Sequence, residues 1–233
     1  GFKLYNDFAG YTGIVRGIST LLGIELSPNF RQPFFARTFS DFWNRWHISL
    51  SHGLRDYIFF PLRRSLLRRN APAWLALALP PLLTMLASGF WHGVSVAMLL
   101  WGALHGLLQI GEQLLLRQKR TETRLGKLFS SLGVVLLVTL AWVPFAAGDF
   151  SHAAAYLLPA AGLPLFPAGY ALQIVLILGF SLLLDALQEH GGETAILSWP
   201  HWAQVGSVSF VLLACLLLSG SAADVSGFVY QGF

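Results

Sequence analysis

Long apolar runs separated by short polar stretches fill the chain from about residue 74 onward. A bilayer core of about 30 Å requires roughly 20 mostly apolar residues for each helix that crosses it. On that measure, the pattern predicts five membrane-spanning helices, over residues 74–90, 94–115, 128–147, 168–187 and 202–219. The predicted fold class is therefore all-α, a polytopic helical membrane protein.

Two adjacent prolines, Pro80 and Pro81, interrupt the first predicted span. Proline lacks the backbone N–H donor and clashes with the preceding turn, so we expect the helix to kink or break there. A break at membrane depth is tolerated only where protein or a water-filled cavity covers it. We therefore expect a cavity near residues 88–93, which follow the prolines.

A stretch rich in aromatic and polar residues, "FWNRWHISLSHGLRDYIFFP" at 42–61, precedes these spans. Its apolar positions recur at helical spacing, which predicts one helix lying along or dipping into the membrane, with tryptophans at the interface. His47 shares the apolar face, and Pro61 is expected to end the helix. The alternative is an interfacial anchor that carries no chemistry.

Composition supports a membrane protein, because 55% of the 233 residues are hydrophobic and only 11% are charged. Soluble domains carry about 25% charged residues. The net charge of +4 does not indicate nucleic-acid binding, since every Lys and Arg lies at or before Lys127. If the first two spans form a hairpin, the basic clusters at 63–69 and 117–127 face the cytoplasm. Anchoring to anionic lipids predicts the same side.

No repeat, low-complexity tract or linker divides the chain, which predicts one domain over residues 1–233. It begins at Gly1 without a methionine or a signal-type segment. We therefore expect it to be the C-terminal part of a longer protein.

The best candidate for chemistry is His92, which lies in "SGFWHG" at 88–93 beside Trp91. An ionisable residue within a membrane segment is a functional candidate, and histidine suits a general base because it titrates near neutrality. For His105, a hydrogen bond between helices is preferred to catalysis. We exclude a metal site because the histidines lack ligand spacing and no H-E-x-x-H or C-x-x-C motif occurs.

Residues 41–62 together with "SGFWHG" resemble the membrane-bound O-acyltransferase (MBOAT) superfamily. The resemblance is strongest to the bacterial branch of alginate O-acetyltransferases and the teichoic-acid D-alanyl transferase. Further similar stretches are 7–36, 141–150 and the C-terminal "FVYQGF". The resemblance implies an MBOAT-type bundle with interfacial or re-entrant helices, of which the N-terminal helices are missing here.

The resemblance also implies roles for single residues. His92 matches the histidine regarded as catalytic, and His47 matches an upstream polar position that is often asparagine in other branches. The other matching positions are expected to shape the substrate site: Trp46, Arg55, Asp56, Tyr57, Ser88 and Trp91. This chain departs from the pattern at His52-Gly53 and at "PLRR", which leaves acceptor or partner specificity open.

The activity so implied is transfer of an acyl group, expected to be acetyl, from a thioester donor such as acetyl-CoA or an acyl carrier. The acceptor would be a hydroxyl of an extracytoplasmic polysaccharide, or a periplasmic acetyltransferase partner. The resemblance implies a multi-pass protein of the bacterial inner membrane that binds no cofactor or metal. Its partners would be the lipid bilayer and the acyl donor, without nucleic acid. The alternatives are a transporter or channel component, or a noncatalytic membrane scaffold.

Overall fold

The computed structural model describes residues 1–115, 123–147, 171–192 and 195–219. They divide into two compact units, one that ends at residue 147 and one that begins at residue 171 among the described residues. The first unit contains both candidate histidines. The prediction of a single domain over residues 1–233 stays a prediction.

The described residues are helical and contain no β-strand, which confirms the all-α fold class. In the residues that the structure describes, the first unit contains eight α-helices, a 3₁₀-helix and a π-helix. In chain order they are α1 (Phe2–Leu21), the 3₁₀-helix Pro33–Phe35, α2 (Phe39–Arg45), α3 (Ile48–Leu54), the π-helix Arg55–Phe59, α4 (Phe60–Arg68), α5 (Ala73–His92), α6 (Val96–Leu115), α7 (Arg124–Ala141) and α8 (Val143–Ala147). The second unit contains α9 (Ala171–Gly191), the 3₁₀-helix Ala195–Ser198 and α10 (His201–Ser219).

Helices occupy the five predicted spans, with boundaries shifted by a few residues. Residues 168–170 at the start of the fourth lie outside the described part of the chain. Two stretches, Ala73–His92 and Arg124–Ala147, are long and apolar enough to cross a membrane. Their outer faces expose large apolar side chains, including Trp74, Phe90 and Phe129, as lipid-facing helices do. Membrane crossing by α6, α9 and α10 stays a prediction.

The two prolines do not break α5. The helix runs without interruption from Ala73 to His92, and both Pro80 and Pro81 lie fully buried within it. The Thr84 hydroxyl donates a hydrogen bond of 2.6 Å to the Pro80 carbonyl. Tertiary packing outweighs the lost backbone hydrogen bonds because this stretch of α5 lies against α6. The expected break is therefore wrong.

Helices α5 and α6 form the predicted hairpin, and glycines set their separation. A Cβ atom added to Gly89 would lie within 3.0 Å of the Met98 carbonyl, and one added to Gly102 would meet the Met85 carbonyl as closely. Real Cβ atoms do not approach backbone in this way, so both positions require glycine. This close backbone contact is typical of helix pairs in membranes. It fixes the end of α5, where His92 lies, against the buried face of α6.

An aromatic core joins the N-terminal segment to these helices. The Trp46 ring lies 4.5 Å from the Trp142 ring and stacks on Phe42 at 5.6 Å. Tyr5 of α1 packs on Phe34 and on Trp46, at 5.1 and 6.0 Å. Aromatic pairs at these spacings add stability beyond the burial of their area. The segment before α5 is therefore part of the core and does not simply rest on the membrane surface.

The predicted continuous helix over 42–61 is wrong, because the chain breaks at Trp46 and His47. Trp46 is extended (φ −107°, ψ 128°) and His47 is left-handed (φ 43°, ψ 57°). Asn29 satisfies the free N–H groups that open α3: its carbonyl accepts from Ile48 at 2.9 Å, and its Oδ1 accepts from Ser49 at 3.0 Å. The Arg31 N–H donates to the Arg45 carbonyl at the end of α2. Partners distant in sequence thus replace the missing helical hydrogen bonds.

Two side chains cap the beginning of helix α2, one through a hydroxyl and the other through a carboxylate. The Thr38 Oγ1 accepts from the Asp41 N–H at 3.0 Å. The Glu112 carboxylate, from the last turns of α6, accepts from the N–H groups of Phe39 and Ser40. Negative charge at a helix N-terminus is favourable because it interacts with the helix dipole. Glu112 thereby ties α6 to the segment that leads to His47.

The segment after α3 also differs from the prediction. Pro61 does not end a helix; the backbone stays helical from the π-helix through Phe60 and Pro61 into the rest of α4. Arg63, Arg64 and Arg68 therefore belong to a helix and not to a loop. Of the second basic cluster, Arg124 and Lys127 lie in the first turn of α7, and residues 117–120 lie outside the described part of the chain.

Candidate active site

His92 is the last residue of α5, and its side chain is buried among aromatic rings. Its ring centroid lies 4.8 Å from that of Trp91, 5.3 Å from Trp101 and 5.3 Å from Phe145. Gly93 ends the helix directly after it, with φ 158° and ψ 151°, a conformation that residues with a Cβ rarely adopt. Helices α5, α6 and α8 thus all contribute to the surroundings of this imidazole.

His47 is buried to the same degree as His92 and lies at the break between α2 and α3. Its ring packs edge-on against Phe8 at 4.8 Å and against Trp91 at 5.9 Å. Nδ1 is buried and has no hydrogen-bond partner among the described residues. Burial lowers the pKa of His47 from 6.5 to about 4, because the charged imidazolium loses its hydration. His47 is therefore neutral at pH 7.

The structure brings the two histidines together, as a shared site requires. Both rings pack edge-on against one residue, Trp91, and the two imidazoles are close enough to interact electrostatically. They come from segments separated by 45 positions in the sequence. The Trp91 ring is itself largely exposed in this chain, so it forms the rim of the pair rather than its floor.

Two more of the residues expected to shape the site are buried nearby. Ser88 lies one helical turn before His92 on the same face of α5, and its Oγ has no hydrogen-bond partner within the described ranges. Trp46 precedes His47 directly, and its ring contacts are those of the aromatic core. Trp46 supports the break at His47 through packing.

Arg55, Asp56 and Tyr57 have a different environment. They form the first residues of the π-helix, where Arg55 and Asp56 make an exposed ion pair of 3.2 Å. The Arg55 guanidinium lies 5.7 Å from the centre of the Phe60 ring, and Tyr57 is 85% exposed. The π-helix packs against α5, but these side chains face outward. A role for them in shaping the site stays a prediction.

Three aromatic residues contact the histidines without having been identified from the sequence. Trp101 and Phe145 flank His92, and Phe8 flanks His47. Trp101 could have been found, because Met98, Trp101, Gly102 and His105 recur at the spacing of one face of a helix. Phe8 and Phe145 carry no such signal, since only tertiary packing brings them here.

His105 belongs to the same buried aromatic cluster. Its ring lies 4.9 Å from Trp101 and 5.1 Å from Trp43, and only 1% of the residue is exposed. Neither ring nitrogen has a hydrogen-bond partner in the described part of the chain. His105 therefore does not make the predicted hydrogen bond between helices with any residue that the structure describes.

Chemically, the pair offers two imidazoles in a mainly aromatic setting. Among the described residues, no group of three or more His, Cys, Asp or Glu side chains could hold a metal ion. A neutral imidazole can accept a proton through one nitrogen or donate a hydrogen bond through the other. Such a pair suits proton transfer combined with stabilisation of a developing negative charge.

Comparison with known proteins agrees with this geometry. The sequence model described as MBOAT, membrane-bound O-acyltransferase family, matches residues 1–156, which include both histidines. The chain belongs to the membrane-bound O-acyltransferase family. Members of this family are membrane proteins, in agreement with the two long apolar stretches.

Three relatives illustrate the range of acceptors in the family. The chain is 40% identical over 105 residues to the probable alginate O-acetylase AlgI of Pseudomonas syringae, covering 45% of this chain and 19% of that protein. It is 38% identical over 127 residues to the teichoic acid D-alanyltransferase of Streptococcus thermophilus, covering 52% and 30%. It is 33% identical over 158 residues to the peptidoglycan O-acetyltransferase of Helicobacter pylori, covering 65% and 28%. The matched stretches span less than a third of each relative.

Proposed function

We propose that this chain carries the acyl-transfer centre of a membrane O-acyltransferase. The donor is a thioester, acetyl-CoA or an acyl carrier, and the group transferred is acetyl. The observation that carries the proposal is the meeting of His47 and His92 at Trp91 in a buried aromatic setting. Family membership and the names of the relatives support the reaction class.

In the proposed mechanism, His92 acts as the general base. One imidazole nitrogen takes the proton of the acceptor hydroxyl as its oxygen attacks the thioester carbonyl carbon. The C–O bond forms, and the carbonyl oxygen becomes an oxyanion. When this intermediate collapses, the C–S bond breaks and the thiolate takes the proton from the His92 imidazolium. The products are an ester and a free thiol, and His92 is again neutral.

His47 stabilises the oxyanion in this mechanism. An imidazole that is neutral at pH 7 can direct its N–H at the oxyanion without the desolvation cost of a buried charge. One such donor in a site sheltered from water contributes about 2.7–4 kcal/mol in other enzymes. The surrounding rings of Phe8 and Phe145 would exclude water, which strengthens the interaction.

The proposed acceptor is a hydroxyl of an extracytoplasmic polysaccharide, or a periplasmic partner that passes the acetyl group on. The relatives are named for alginate, peptidoglycan and teichoic acid, which are extracytoplasmic polymers in each case. A bacterial inner-membrane location with several spans accords with this.

The orientation, with both basic clusters on the cytoplasmic side, has its own test. Arg64→Cys and Arg120→Cys, in a Cys215→Ser background, should both resist impermeant thiol reagents in intact cells. Labelling of only one would contradict this orientation.

The test of the function is His92→Ala in the full-length protein. Acetyl transfer should fall by a factor of about 10²–10⁴, the usual contribution of a general base, while the amount of protein in the membrane is unchanged. His201→Ala is the matched control, because His201 is an exposed histidine at the start of α10. Wild-type acetylation by His92→Ala would refute the catalytic assignment. A change in solute flux without any acylated product would favour a transporter.

A further inference from the structure

The rings of His105, Trp43 and Trp101 meet in a triangle next to the proposed catalytic pair. The Trp43 and Trp101 centroids are 5.8 Å apart, and His105 lies 5.1 and 4.9 Å from them. Trp101 also packs against His92 at 5.3 Å. The triangle therefore contacts the proposed general base through Trp101, and the Trp101 ring links His105 to His92.

Every polar side-chain atom of these three residues is buried and lacks a hydrogen-bond partner in the ranges that the structure describes. These atoms are the indole Nε1 of Trp43, the Nε1 of Trp101, and both Nδ1 and Nε2 of His105. Buried polar groups in folded proteins are nearly always hydrogen-bonded, and an unpaired group invites an explanation. Four unpaired nitrogens in three touching rings are too many for an ordinary core.

The chemistry of these nitrogens restricts the group that could satisfy them. Both indole nitrogens are donors only, and an uncharged imidazole has one donor and one acceptor nitrogen. A ring face can weakly accept an indole N–H, but it cannot satisfy the lone pair of the imidazole. A carbonyl or carboxylate oxygen would accept from the indoles and leave that lone pair unpaired. A hydroxyl group both accepts and donates, so it can accept from the two indole N–H groups and donate to the lone pair of the imidazole.

We propose that His105, Trp43 and Trp101 form a subsite for a hydroxyl of the acceptor other than the one that reacts. The inference rests on the proposed function and narrows its acceptor to a polyhydroxylated one, such as a saccharide. One hydroxyl of the acceptor would approach His92. A second hydroxyl of the same acceptor molecule would bind His105, which lies on the other contact of the Trp101 ring. His105 is then a positioning residue. An internal water is the other source of a hydroxyl, and the experiment separates the two.

The test uses the full-length protein with acetyl-CoA and two acceptor probes, cellobiose and cyclohexanol. His105→Phe keeps the ring volume but removes both nitrogens. We expect it to lower kcat/KM for cellobiose about tenfold through a higher KM, and to leave cyclohexanol and the KM for acetyl-CoA unchanged. His105→Gln keeps a donor and an acceptor and should restore part of the loss. Trp43→Phe should act in the same direction and more weakly.

Several results would overturn the subsite. An equal loss on both probes would mean that His105 only supports the fold, and no loss on either would mean that its partner is an internal water or another part of the protein. The variant His92→Ala tests the proposed function independently of the subsite. If wild type acetylates a probe and His92→Ala does not, the function stands whatever His105→Phe does. If wild type acetylates neither probe, the saccharide subsite fails, and O-acetylation of the cell's own polysaccharide by wild type and His92→Ala then decides the proposed function alone.

Discussion

His47 and Tyr57 lie ten residues apart in one motif, and the structure gives them opposite environments. His47 is buried at a break between two helices and packs on Phe8 and Trp91. Tyr57 is in a π-helix and is almost fully exposed. The difference shows that a recognisable motif combines residues of the site with residues of the surface. Only the tertiary contacts tell them apart.

The largest effect expected from this comparison is on catalysis. His47→Ala should lower the rate of acetyl transfer by a factor of about 10²–10³, because it removes the donor that we propose for the oxyanion. Tyr57→Phe, an equally simple change in the same motif, should alter the rate less than twofold. Rates measured with each variant in membranes test the pair. A similar loss for both would show that the exposed π-helix also belongs to the site.

The second effect concerns the stability of the protein at acid pH. The pKa of His47 falls from 6.5 in the unfolded chain to about 4 in the folded protein, so the unfolded state binds its proton first. The contribution of His47 is constant above pH 6.5, and stability decreases as the pH falls from 6.5 toward 4. The loss is about 3 kcal/mol when complete, since each pKa unit corresponds to about 1.4 kcal/mol.

Thermal unfolding in detergent at pH 7 and pH 4.5 measures this loss. His47→Phe should show a smaller decrease between the two pH values than wild type does. The exposed His201 gives the matched control, and His201→Phe should leave the decrease unchanged. An identical decrease in His47→Phe and wild type would mean that His47 is not a buried neutral group.

A smaller effect is expected from the residue that stabilises the break. Asn29→Ala removes the Oδ1 that accepts from the Ser49 N–H and from its hydroxyl, both at 3.0 Å. Loss of a cap of this kind costs about 1–2 kcal/mol. Denaturation in detergent should show that loss, and Asn29→Asp should retain most of the stability because it keeps the acceptor. Unchanged stability in Asn29→Ala would mean that the break is held by aromatic packing alone.

The smallest expected effect is on the free energy of unfolding, after a substitution at the exposed end of the motif. Tyr57→Phe is expected to change the free energy of unfolding by less than about 0.5 kcal/mol, as is usual for exposed side chains. The same unfolding measurement provides the value. A loss comparable with that of Asn29→Ala would reveal that the Tyr57 hydroxyl has a partner in the rest of the protein.

The positions of the helices could be predicted from the sequence because apolar runs are a local signal. The prediction over residues 74–90 agrees with α5 to within two residues at each end. The resemblance assigned both His47 and His92 to one family pattern, and in the structure both rings pack against Trp91. In contrast, the break at His47 depends on Asn29 and Arg31, which lie far back in the sequence.

The errors at the prolines have the same origin. Pro80 and Pro81 disfavour a helix locally, but the packing of α5 on the glycines of α6 keeps it continuous. Pro61 lies where the π-helix passes into α4, and the helix continues through it. The helical spacing in 42–61 was real, and it was shared between separate short helices. Local patterns cannot reveal partners that come from elsewhere in the chain.

The left-handed backbone at His47 limits which amino acids can replace it. A positive φ is unfavourable for most side chains, and strongly so for those branched at Cβ, whereas histidine and asparagine adopt it several times more often than other residues. Asparagine is also the residue expected at this position in other branches of the family. The exchange keeps both the bend of the chain and a polar N–H donor. We therefore expect a substitution library at position 47 to retain activity mainly with residues that accept the left-handed backbone and also carry an N–H donor.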